Sequence, residues 1–201
     1  ATIMYGHMEQ YKHIARHLLR IRDLQEKTGG FTEFVILPFI HMESPIYLKG
    51  RARKGPTFRE AILIHAISRL VLHPLIKNIQ ASWTKLGHEG VRACLQAGVN
   101  DLGGTLMNET ITRAAGAAHG QETSPEEMEE IIRSIGRTPR QRSTTYGEVT
   151  ELQRQKSFGA VAVEEPTYTS AKKYERKQSK KKHELVRNEL EPETLTSRDI
   201  I

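Results

Sequence analysis

Between residues 1 and 147, short apolar segments alternate four times with longer helical patterns, which restricts the chain to βα units around a parallel sheet. The first unit opens with Thr2-Ile3-Met4-Tyr5 and turns at Gly6-His7. A helix is predicted from about Met8 to Lys27, with Ile14, Leu18, Ile21 and Leu24 recurring at helical spacing, and Gly29-Gly30 stop it. Phe31 to Phe39, closed by Pro38, reads as a buried parallel strand. The loop His41 to Pro56 carries Arg51, Arg53 and Lys54 and is long enough to be functional or disordered. Thr57 and Glu60 form a capping box for a helix that reaches His73 and is stopped by Pro74.

The third strand is Asn78 to Trp83, with its helix from His88 to Gln96 ended by Gly98. The fourth, Val99 to Asp101, is brief and runs into Gly103-Gly104-Thr105. A short helical stretch follows Asn108 to Ala118, and a last helix is framed by Ser124, Pro125, Glu127 and Gly136. Four βα units make half of an eight-stranded barrel, whose isolated half leaves both sheet edges unpaired; an open α/β sheet is the alternative. In either arrangement a ligand sits at the C-terminal ends of the strands.

Composition removes other classes. No run of 18 apolar residues exists, so nothing reads as a membrane span. The single cysteine, Cys94, holds neither an internal disulfide, nor a multi-cysteine zinc site, nor an iron-sulfur cluster by itself, and reads as a small buried hydrophobe. No signal peptide is visible, a reducing, cytoplasmic setting is expected, and Ala1 inside an apolar segment suggests that the true N-terminus lies further upstream. Nearly all of the formal +6 charge precedes Gly147. Residues 148–201 are expected to be a charged tail, partly disordered, with a basic run from Lys172 to Lys182 and an acidic end at Glu189, Glu191 and Glu193. That run has no interleaved aromatics beyond Tyr174, which argues against a nucleic-acid partner.

Polar residues crowd the strand ends: Gly6, His7 and Glu9; Glu33 and His41; Gln80, Ser82 and Trp83; Asp101, Thr105, Asn108 and Glu109. His65 and His73 read as core or boundary residues, and His13 with His17 lacks the glutamate of a zinc-peptidase helix. No nucleophile triad, paired-carboxylate spacing or P-loop is present, so no catalytic residue is assigned.

The segments T-I-M-Y-G-H-M-E (2–9), 17–35, 70–83, 97–117 and I-G-R-T-P-R-Q-R-S-T-T-Y (135–146) resemble a known family. The first is similar to the strand-five motif of radical S-adenosylmethionine (SAM) barrels. Together they resemble the C-terminal half of the tyrosine-dependent subunit or domain of FO synthase, the 4-hydroxyphenyl transferase of coenzyme F-420 biosynthesis. The resemblance implies the back half, strands five to eight, of a radical SAM (β/α)8 TIM-type barrel. It also implies a [4Fe-4S] cluster, held by a C-x3-C-x2-C loop this chain lacks, that cleaves SAM. The 4-hydroxybenzyl group of L-tyrosine then joins 5-amino-6-(D-ribitylamino)uracil, and a lyase partner closes the deazaflavin ring.

By the motif match, Met4, Gly6 and Glu9 would lie beside the SAM adenosine. By position, Glu33, Gln80, Asp101 and Asn108 are expected to hydrogen-bond the uracil and ribityl chain, Arg142 to pair with the tyrosine carboxylate, and Trp83 to stack on a ring. No metal ligand is assigned in this chain, which alone is expected to be inactive. Other readings are a sister radical SAM enzyme (the lyase partner or aminofutalosine synthase), a non-enzymatic remnant or module with a basic arm, and a subunit that completes a barrel with a separate front half.

Overall fold

A computed structural model describes residues 1–162, 168 and 169. The chain is α/β. Three strands, β1 (Thr2–Tyr5), β2 (Glu33–Pro38) and β3 (Asn78–Ala81), form a parallel sheet in the order β1-β2-β3. The helices are α1 (Tyr11–Thr28), α2 (Pro45–Leu48), α3 (Phe58–Leu72), α4 (Trp83–Gln96), α5 (Ile111–Ala114), α6 (Pro125–Arg133) and α7 (Glu151–Phe158).

The places where sequence and structure differ have local causes. α1 starts at Tyr11 rather than Met8, because the amides of Gly6 and His7 turn inward to the Glu9 carboxylate instead of entering a helix. The Gln10 amide donates to His13 Nδ1 at 3.2 Å, and His17 Nε2 lies 3.1 Å from Thr2 O, so both histidines serve the first βα unit. α4 begins five residues before His88, at Trp83, with Gly87 non-helical at φ 66° and ψ 177° inside it. A helical turn from Trp83 thus precedes the stretch expected from His88, with Gly87 as the kink between them. The expected fourth strand is reduced to a single parallel bridge between Gln80 and Asp101, flanked by Asn100 N to Ile79 O (3.2 Å) and Ala81 N to Asp101 O (3.0 Å).

The capping boxes form as read. Glu60 N donates to Thr57 Oγ1 (3.2 Å) while Thr57 N donates to Glu60 Oε2 (2.8 Å), and Ser124 with Glu127 repeats the exchange at the start of α6. α7 packs on α6 through Arg154 Nη2 and Glu129 Oε1 at 2.9 Å. The basic run 172–182 and the acidic end lie outside the described residues.

The two faces of the sheet differ. Ile3, Tyr5, Phe34, Ile36, Ile79 and Ala81 point to one side, where Ile14 and Leu18 of α1, Ile64 and Leu72 of α3, and Val91, Cys94 and Leu95 of α4 complete one buried core. Burying side chains of this size stabilises by roughly 1.5–3 kcal/mol each, before chain entropy is counted. The opposite face presents Thr2, Met4, Glu33, Val35, Leu37, Asn78 and Gln80, all half-buried or exposed. The register Thr2–Val35–Gln80–Asp101 sets these residues in a row on that second face. It is crossed by the segment Gln141–Gly147 rather than by a helix.

Candidate functional site

The polar residues at the sheet gather in two places. The first is the C-terminal end of β1. Gly6 takes φ +95° there, and a Cβ on it would stand 2.3 Å from Pro56 Cδ, so only glycine lets the Gly55–Pro56 turn close over the strand end. Glu9 Oε1 accepts from Gly6 N at 2.6 Å and Glu9 Oε2 from His7 N at 3.0 Å, and Arg53 Nη2 lies 3.6 Å from Oε1. Burial would raise the Glu9 pKa, but the amide donors and the nearby His7 hold it below the usual carboxylate range.

Arg53 continues the network to Glu60, with Nη1 to Oε2 at 2.9 Å, and Tyr11 Oη donates to Glu60 Oε1 at 2.9 Å. Burial opposes the ionised form of Glu60, yet Arg53, the Thr57 amide and Tyr11 together bring its pKa down to about 2. The long basic loop is thus tied to α3 by the Arg53–Glu60 pair and to the end of β1 by Arg53, whose side chain faces Glu9 and whose amide donates to His7 O at 2.9 Å. Met4, 52% exposed, stands beside this rim on the helix-free face.

The second gathering lies on the helix-free face itself. Arg142 forms a two-pronged pair with Asp101, Nε to Oδ2 at 2.5 Å and Nη2 to Oδ1 at 3.0 Å, while Asp101 Oδ1 also accepts from Gly103 N at 2.6 Å. The guanidinium carbon sits 4.1 Å from the centroid of the Tyr146 ring, and its Nη2 is 3.8 Å from Glu33 Oε2. Tyr146 Oη donates to Glu33 Oε2. Burial, then the hydrogen bonds to Glu33 and Asp101, push the Tyr146 pKa far up, so the phenol stays protonated. Gln80 borders this cluster: a Cβ on Gly103, at φ +77°, would fall 2.6 Å from Gln80 Nε2.

Glu33, Gln80, Asp101 and Arg142 are therefore brought together, with Asp101 and Arg142 partnering each other. Glu33 stands at the N-terminal end of β2, about 20 Å along the strand direction from the level of Gly6, at roughly 3.3 Å per residue. Met4, Gly6 and Glu9 share the other end. Trp83 belongs to neither place; it is 1% exposed within the helix-side core and donates Nε1–H to Gly104 O at 2.9 Å. Asn108 is exposed in the loop after the bridge, at φ +60°, and accepts from Gln121 Nε2 at 2.8 Å.

Sequence reading passed over Tyr146, Arg53 and Glu60 as site residues. Tyr146 ends the 135–146 segment quoted above, and Glu60 was visible only as a cap.

The family described as the CofH/MqnC C-terminal region matches residues 28–156. The chain belongs to that family. This CofH/MqnC-region chain is 53% identical over 149 residues to the FO synthase of Nocardia farcinica (strain IFM 10152), covering 74% of this chain and 17% of that protein. It is 51% identical over 146 residues to the 5-amino-6-(D-ribitylamino)uracil--L-tyrosine 4-hydroxyphenyl transferase of Methanocaldococcus jannaschii, covering 73% of this chain and 41% of that protein. Against the FO synthase of Streptomyces coelicolor the identity is 50% over 151 residues, 75% of this chain and 17% of that protein. The chain thus spans less than half the length of each of these relatives.

Membership in this family implies SAM and a [4Fe-4S] cluster. The residues present do not fit the cluster. Cys94 is fully buried with its thiol pushed up to about 12 by burial, and among the described residues no group of three His, Cys, Asp or Glu side chains could hold a metal. An exposed methionine beside a backbone turn braced by Glu9 does fit the packing of a nucleoside edge. No helix among the described residues is long and apolar enough to cross a membrane.

Proposed function

We propose that residues 1–147 form the back half of a radical SAM barrel and supply the substrate-side wall of a 4-hydroxyphenyl transferase. In this reading the complete enzyme joins the 4-hydroxybenzyl group of L-tyrosine to 5-amino-6-(D-ribitylamino)uracil, and an FO synthase lyase activity acts next. The observation that carries the reading is the one-sided sheet. A doubly wound parallel sheet has helices on both faces, whereas here α1, α3 and α4 share one face and the other carries a polar row. In a closed barrel that second face is the interior.

SAM, when bound, supplies the radical chemistry. The chain's own contribution is positioning. Met4 packs against the adenine, and Gly6 with Glu9 shapes the strand-end turn beside the adenosine. Glu33, Gln80, Asp101 and Arg142 face the interior, where a uracil and a polyol need buried hydrogen-bond partners. Because Asp101 already occupies the Arg142 fork, binding of the tyrosine carboxylate at Arg142 requires an exchange of partners on that guanidinium. Trp83 and Asn108 support the wall from the core and the rim.

The test joins this chain to the part of the Methanocaldococcus protein that precedes the matched region. Formation of the 4-hydroxybenzyl adduct by the fusion, and none by the 201-residue chain alone, is expected. A folded fusion that cleaves SAM yet forms no adduct with either substrate overturns the reading.

A further inference from the structure

At the N-terminal ends of β3 and of the bridge strand, opposite the Gly6–Glu9 rim, lies an open pocket of about 400 Å³. Arg69, His73, Lys77, Asn100 and Arg137 line it, with no aspartate or glutamate among the lining residues. Among the described residues none of its three cations, Arg69, Lys77 and Arg137, forms an ion pair with a carboxylate within 4 Å.

The pocket is also built. Arg69 is pinned along its floor, Nε to Gly98 O at 2.7 Å, Nη1 to Lys77 O at 2.9 Å and Nη2 to Asn100 Oδ1 at 2.6 Å. Gly98, at φ +110°, makes room for it, since a Cβ there would stand 2.9 Å from Arg69 Cγ. Arg137 is held from the other side, Nη1 to Val99 O at 2.8 Å. A guanidinium has five N–H donors, so two remain on Arg69 and four on Arg137, beside an uncommitted Lys77 ammonium. Burial, and then the charge of Arg137, lower the Arg69 pKa.

We propose that this pocket is a binding site for a tetrahedral oxyanion of the phosphate class, separate from the face that carries the proposed transferase wall. The remaining N–H groups of Arg69 and Arg137 and the Lys77 ammonium border one opening and suit the oxygens of such a group, and a single bound dianion offsets the like charges of Arg69 and Arg137. The proposal does not rest on the transferase reading.

The test is titration of the full chain with inorganic phosphate by calorimetry and by amide NMR, at ionic strength held constant with sodium chloride. Saturable binding with shifts at Gly98 and Asn100 is expected, weakened at least tenfold in Lys77→Ala and in Arg137→Ala and progressively by added salt. Lys77 makes no side-chain hydrogen bond among the described residues, so Lys77→Ala keeps the fold if Arg137→Ala disturbs it. Phosphate shifts that chloride reproduces at equal ionic strength, or affinity unchanged in Lys77→Ala, overturn the proposal.

Discussion

Tyr146 and Glu33, 113 residues apart in sequence, are joined by a hydrogen bond from the phenol to the carboxylate. With the Arg142–Asp101 pair, that contact holds the chain's return across the helix-free face, where the Arg142 guanidinium lies 4.1 Å from the centroid of the Tyr146 ring.

Tyr146→Phe keeps the ring and removes the hydrogen. Among the described residues the Glu33 side chain then retains Arg142 at 3.8 Å. A loss of about 1 kcal/mol is expected, because the Glu33 side chain is 30% exposed and water replaces part of the bond. Urea denaturation measures it, and a midpoint equal to that of the unchanged protein would show that the contact contributes nothing.

Arg142→Ala should cost more, about 3 kcal/mol, since Asp101, with a side chain 5% exposed, loses its two-pronged guanidinium partner. Arg142→Lys should recover less than half, because an ammonium cannot reproduce the two-pronged geometry. The combined Asp101→Asn and Arg142→Ala change should cost less than the two single changes added together. Additive losses would mean the pair is not coupled.

The Glu60 network makes stability acid-sensitive in a defined window. Its folded pKa of about 2 lies below the ordinary 4.5, so the native state favours the ionised form. The stabilisation is present above about pH 4.5 and is lost as pH falls toward 2. Glu60→Gln should therefore be less stable than the unchanged protein at pH 6 and approach it near pH 2. Parallel pH curves for the two proteins would refute the charge-based account.

Gly6→Ala forces a Cβ into Pro56 at a positive φ, and a loss of roughly 2 kcal/mol or more is expected, with the 41–56 loop becoming the first site of protease cleavage. Gly104→Ala, where nothing stands within 4 Å of the added carbon and φ is not positive, should be close to neutral. Equal losses at both glycines would remove the argument from crowding.

The elements that sequence made legible are those whose signals are local. Thr57 with Glu60 and Ser124 with Glu127 are three apart, so each box could be read without knowing the fold. The parallel sheet followed from the βα rhythm, and the polar residues of its face from their place in the strands. The helix expected from His88 has an earlier turn from Trp83, and Gly87 stands as the kink between the two, which only φ and ψ could show. Trp83 looked like a rim residue because it follows β3, but the early start of α4 turns it into the core. The pairing of Asp101 with Arg142, 41 residues apart, has no sequence signal at all. Both were legible as polar groups wanting partners, and neither spacing nor periodicity could say that each was the other's.

The late position of Arg142 in the chain has a consequence for how the polypeptide emerges from a ribosome. Glu33 and Asp101 are synthesised well before the cation that sits beside both of them. Until residues 142–146 leave the exit tunnel, the growing sheet bears the Glu33 and Asp101 carboxylates with neither the guanidinium nor the phenol beside them. The helix-free face thus gains its cation last, and a nascent chain stalled before Arg142 would hold its helices on one side of the sheet while the two carboxylates on the other stayed unanswered by the guanidinium.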